Sequence, residues 1–110
     1  MAKKISRSPG KSFGGTAPDS SKNVSKLFPI QNELGLHARA AAQFVKIASR
    51  FSAEIQVKKD SREVNGKSIM GILMLAAAKG SQIQITISGE DAPEALLALQ
   101  NLIENKFGEN

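Results

Sequence analysis

His37 is the only histidine in the 110 residues, and no cysteine is present. It is thus the one side chain whose ordinary titration range lies near neutral pH. It follows Gly35-Leu36 and precedes a segment in which Ala38, Ala41, Ala42, Val45 and Ala48 recur at helical spacing. The first amides of such a helix lack internal acceptors, and the helix dipole is positive there. That end is suited to phosphate. Arg39, two residues on, adds a permanently charged donor fork that matches phosphate oxygens. The positive field favours the neutral, nucleophilic imidazole. Together these residues could accept a phosphoryl group on His37 and, because the N–P bond is labile, pass it on. A plainer arrangement also fits: His37 caps the helix and Arg39 is solvated. General acid–base catalysis has less behind it, since the sequence pairs no second group with His37.

Ser68 is the second candidate. It precedes Ile69, Met70, Ile72, Leu73, Met74 and Leu75, and its hydroxyl is placed to cap a helix. It is either a cap alone or a phosphorylation site, where the added negative charge would sit at a positive helix end. Ile69, Met70, Leu73 and Met74 make this helix apolar almost all round. Either all of it is core, or part of it is an exposed docking patch in which methionine supplies adaptable contacts.

The formal net charge of +5 points first to an anionic partner. Its distribution changes that reading. Lys3, Lys4, Arg7, Lys11, Lys22 and Lys26 stand against Asp19 in the first 26 residues, and residues 27–110 are neutral overall. Residues 1–26, rich in Ser and Gly, read as a basic disordered tail, and residues 27–110 as one domain. No apolar h-region makes the tail a secretory signal. Its faint likeness to a transit peptide is opposed by its glycines and prolines. Nucleic acid is poorly supported, because Trp and Tyr are absent and Phe44, Phe51 and Phe107 read as core. A basic-tailed nucleic-acid-binding module remains a remote alternative. No run approaches the roughly 18 apolar residues of a membrane span. One His and no Cys leave no metal cluster of those ligands.

The elements that must position these residues follow in order. Leu27 to Gln31 is a short strand whose Pro29 needs an unpaired site. Residues 32–36 are a loop, and a helix runs from Ala38 to about Arg50. Ala53 to Lys58 and Arg62 to Asn65 are strands around a polar turn. The Ser68 helix is expected to stop at Gly80. Ile83, Ile85 and Ile87 alternate with polar residues in a half-buried strand. Asp91-Ala92-Pro93-Glu94 reads as a capping box. It opens a helix whose apolar face extends to Phe107 and which Gly108 ends. The order βαββαβα is satisfied by one antiparallel sheet with its helices on one side, an α+β fold.

Leu34-Gly35-Leu36-His37-Ala38-Arg39 resembles the active-site loop of the HPr family, the histidine-containing phosphocarriers of the bacterial phosphotransferase system. Asn65-Gly66-Lys67-Ser68-Ile69-Met70-Gly71 resembles the family's serine site, and Ala78-Lys79-Gly80 fits the turn that follows it. The likeness covers about residues 26–107. It implies an open-faced β-sandwich, four antiparallel strands covered on one side by three helices. It implies that His37 takes a phosphoryl group on Nδ1 from enzyme I, ultimately from phosphoenolpyruvate, and gives it to an enzyme IIA. Arg39 would be the phosphate clamp, Ser68 the target of HPr kinase/phosphorylase, and Ile69 and Met70 a docking surface. The resemblance describes a cytoplasmic, monomeric, stoichiometric carrier without a cofactor, not an enzyme. It departs at Ala40, where the family usually has Pro; retained chemistry with a less rigid loop is expected. The tail has no counterpart in typical members. The loop Asn32-Glu33-Leu34-Gly35 and Leu73-Met74-Leu75 are similar to the family's nitrogen-regulatory branch. Lys67-Ser68-Ile69-Met70 is similar to the serine-regulated branch, so sugar transport and docking-based regulation both stay open.

Overall fold

The computed structural model describes residues 22–109. Strand β1 (Lys22–Pro29) leads to helix α1 (Ala38–Ala48), strands β2 (Glu54–Lys59) and β3 (Arg62–Asn65), and helix α2 (Ile69–Met74). Strand β4 (Gln82–Gly89), helix α3 (Ala92–Glu104) and a short turn at Lys106–Gly108 complete the chain. The sheet order is β1-β4-β2-β3, with every pairing antiparallel.

The alternation in β4 organises the core. Ile83, Ile85 and Ile87 are fully buried beside Ile55 and Val57 of β2 and Phe28 of β1. The helices close over this face with Ala41, Phe44 and Ala48 from α1, Ile72 from α2, and Ala95, Leu99 and Ile103 from α3. Small residues on α1 let it approach closely, which is why its apolar stripe is mostly alanine. The opposite face is polar: Ser25 Oγ lies 3.1 Å from Thr86 Oγ1, and Gln84 donates to Ser25 at 3.0 Å. One buried face and one exposed, mostly polar face that also carries Leu27 make this the expected open-faced sandwich.

Several boundaries differ from the sequence reading. Lys22–Lys26, read as part of the tail, belong to β1, where Val24 pairs with Ile87 and Lys26 with Ile85. Lys26 Nζ donates to Gln100 Oε1 at 2.9 Å and lies 5.5 Å from the Phe28 ring centroid. The tail reading otherwise falls on residues 1–21, outside the described residues. Pro29 is the last residue of β1, and β1 is an edge strand, so its missing N–H is tolerated.

Helix α2 stops at Met74, well short of Gly80, because Ala76 turns the chain with φ +50°. Asp91 does not form the expected capping box. Its carboxylate instead accepts from the Ser52 and Ala53 amides, both at 2.9 Å, and pins the entry to β2. Helix α3 ends at Glu104, not at Gly108. Phe107 is still buried, but it reaches the core from a turn and not from a helix face.

Candidate functional site at the start of helix α1

His37 is the N-cap residue of α1, with extended backbone (φ −76°, ψ 179°). Its carbonyl accepts from Ala41 N at 2.8 Å, which starts the helix. The imidazole makes no capping bond of its own, so His37 caps the helix through its backbone alone. The amides of Ala38, Arg39 and Ala40 have no backbone acceptor among the described residues, and no acidic residue occupies the first turn. Positive potential at this end is therefore uncompensated from within the helix. Arg39 is exposed and forms no ion pair among the described residues. Ala40, the third helical residue, is buried, and the helix begins cleanly without a proline.

The loop that presents His37 is fixed at two points. Gly35 N donates to Asn32 O at 3.1 Å, and Leu36 N donates to Ala77 O at 2.9 Å. Asn32 is buried, and its Nδ2 donates to Gly35 O at 2.8 Å.

The partner of the imidazole is Glu109, 72 residues away in the chain. Its Oε2 lies 2.5 Å from His37 Nε2 and accepts from Asn32 Nδ2 at 3.2 Å. The side chains are 28% and 14% exposed, so the pair is accessible but sheltered. The bond from His37 holds the Glu109 carboxyl below the usual range against some desolvation; Asn32 and the Leu34 amide help. An ionised carboxylate only accepts, so Nε2 carries the proton of this bond.

The sequence reading paired no group with His37, and this is the residue it missed. The chain reaches back because Lys106 and Phe107 adopt left-handed backbone (φ +54° and +55°). Each such non-glycine residue costs about 1 kcal/mol or more. Burial of the Phe107 ring, worth about 2 kcal/mol, offsets much of that. The only hint in the sequence was a large aromatic two residues before a glutamate near the end of the chain.

Ser68 occupies a separate helix end. Its Oγ accepts from Gly71 N at 3.0 Å, so it caps α2 as the sequence indicates. Lys67 Nζ donates to Phe51 O at 2.6 Å and ties this loop to the chain after α1. Ile69, Met70 and Met74 are exposed while Ile72 is buried. The apolar helix is thus only partly core. No hydrogen bond joins Ser68 to His37 or Arg39 among the described residues; the two sites are linked through the packing of α1 on α2.

The fold agrees with comparisons to known proteins. A family model described as the PTS HPr component phosphorylation site matches residues 24–105. The phosphocarrier protein HPr of Neisseria meningitidis is 54% identical over 86 residues, covering 78% of this chain and 97% of that protein. HPr of Pseudomonas aeruginosa is 49% identical over 81 residues, covering 73% and 90%. A crystal structure of HPr from Thermoanaerobacter tengcongensis superposes with a TM-score of 0.74 at 49% identity, covering 81% of this chain and 98% of that one. The chain belongs to the HPr family of phosphocarrier proteins of the phosphotransferase system.

Proposed function

We propose that the protein carries phosphoryl groups on His37, taking them from enzyme I and giving them to an enzyme IIA, in the cytoplasm and without a catalytic cycle of its own. The observation that carries this reading is an imidazole at a helix N-terminus that makes no capping bond, beside three amides without a backbone acceptor and an Arg39 without an ion pair among the described residues. The incoming phosphoryl oxygens would meet those amides and the guanidinium, both of which favour negative charge. Family membership supports the same chemistry. Among the described residues no helix is long and apolar enough to cross a membrane.

Ser68 is proposed as a regulatory site for HPr kinase/phosphorylase. A phosphate on its oxygen would stay near the first amides of α2 while placing charge beside Ile69 and Met70. Those two exposed side chains, with Met74, are proposed to contact partner proteins. Added charge there would repel acidic partners and raise the cost of covering the apolar surface.

The test is incubation with enzyme I and phosphoenolpyruvate. Acid-labile phosphate on the wild type and none on His37→Ala is the expected result; equal labelling of both would sink the reading. Delivery to sugar-type and nitrogen-type acceptors, compared side by side, then separates transport from regulation.

A further inference from the structure

We propose that Glu109 is a positioning residue for His37: by accepting the Nε2 proton it fixes the tautomer that presents the Nδ1 lone pair to an incoming phosphoryl group. This rests on His37 being the phosphoryl acceptor. The geometry behind it is specific. The carboxylate lies 2.5 Å from Nε2, and Asn32 Nδ2 holds the same oxygen at 3.2 Å. Asn32 is itself buried and tied to Gly35 O, so the carboxylate is held from a rigid base. No hydrogen bond reaches Nδ1 among the described residues. A neutral imidazole has one donor and one acceptor nitrogen, so a proton held on Nε2 leaves Nδ1 as the nucleophile.

The transfer step balances without moving that proton. The Nδ1 lone pair forms the bond to phosphorus, and the bond from phosphorus to the donor's leaving atom breaks, returning its electron pair to the donor. Nε2 keeps its hydrogen throughout. The ring, now bonded at both nitrogens, gains positive charge, and the Glu109 carboxylate faces that charge directly. Transfer to the next acceptor reverses these changes and restores the same tautomer. The carboxylate is delivered by the Lys106–Phe107 reversal, whose buried Phe107 anchors the last turn. Glu109 is thus part of the folded site.

The experiment is ¹⁵N NMR of the His37 imidazole in the unphosphorylated full chain, at a pH where the ring is neutral. Wild type should show a protonated Nε2 and an unprotonated Nδ1. Glu109→Ala should drift toward the mixture of a free imidazole, while Glu109→Gln, whose amide oxygen still accepts, should keep the wild-type tautomer. Phosphoryl transfer from phosphorylated enzyme I should slow roughly tenfold in Glu109→Ala, the low end for a lost charge-assisted bond at a part-exposed site. It should slow less in Glu109→Gln. A proton on Nδ1 in the wild type would overturn the proposal. So would an unchanged tautomer in Glu109→Ala, or faster transfer in that variant, which would make the carboxylate a guard repelling phosphate. Failure of the wild type to take phosphate would instead remove the carrier reading, and the tautomer measurement would stand apart from it.

Discussion

Gly35 backs onto the carbonyl of Ala77, so closely that a Cβ on it would lie 2.4 Å from that oxygen. Leu36, the next residue, donates its amide to the same oxygen. The loop that ends in His37 is thereby set against the segment that leaves α2. Gly35 also has φ +65°, where side chains are disfavoured. Gly35→Ala should lose roughly 2–4 kcal/mol by urea denaturation, combining the backbone penalty with the clash. Phosphoryl acceptance by His37 should fall with it, because the clash displaces the loop. A midpoint within error of the wild type would show that the loop yields freely.

Ser68→Ala removes the hydroxyl that accepts from Gly71 N. The expected cost is about 1 kcal/mol. Ser68→Asp should recover most of that loss, since aspartate caps as well as serine. Labelling by HPr kinase/phosphorylase with ATP should vanish in both variants. Undiminished labelling of Ser68→Ala would place the modification elsewhere.

Arg39 is exposed, so its substitution should leave the unfolding midpoint unchanged. Its effect should appear in transfer. Losing one charge-assisted bond to phosphate removes about 1.5–3 kcal/mol, or roughly 10- to 100-fold in rate for Arg39→Ala. Arg39→Lys should recover only part, because an ammonium cannot make the two-pronged contact. Stopped-flow transfer from phosphorylated enzyme I measures both.

Asp91 gives a pH signature. The Ser52 amide, followed by that of Ala53, holds its carboxyl below the usual aspartate range despite some opposing desolvation. A depressed folded value stabilises the fold above the unfolded value, about pH 4. That contribution fades as pH falls through the lowered folded value. Asp91→Ala should therefore be less stable than the wild type at pH 6, and the two curves should converge toward pH 2. A gap that stays constant across this range would show that the carboxylate's charge is not what holds Ser52 and Ala53.

What could be read in advance follows from how far apart the interacting groups lie. Ser68 was legible because its acceptor role is settled three residues away, at Gly71. The β4 isoleucines were legible because alternation is a local pattern. Asp91 offered an equally good local motif, yet its carboxylate serves amides nearly 40 residues earlier, and the capping box does not form. Lys22–Lys26 looked like tail because one edge of β1 is open and composition alone does not reveal pairing with β4. Ala76 ended α2 through a left-handed residue that is not glycine, which no residue-type rule anticipates. In the site, His37 and Arg39 were visible as neighbours in sequence. Glu109 was not, because only the closed fold brings the last turn beneath the imidazole.

The direction of β1 has a practical consequence. The strand enters the sheet at Lys22, opposite Gly89, and reaches the His37 end only after Pro29. Eight strand residues span about 25 Å. A fluorescent or affinity handle on the Lys22 side chain would sit at the strand end remote from the loop that leads to His37. Glu109, by contrast, sits against the His37 imidazole, so a handle attached there would crowd the ring.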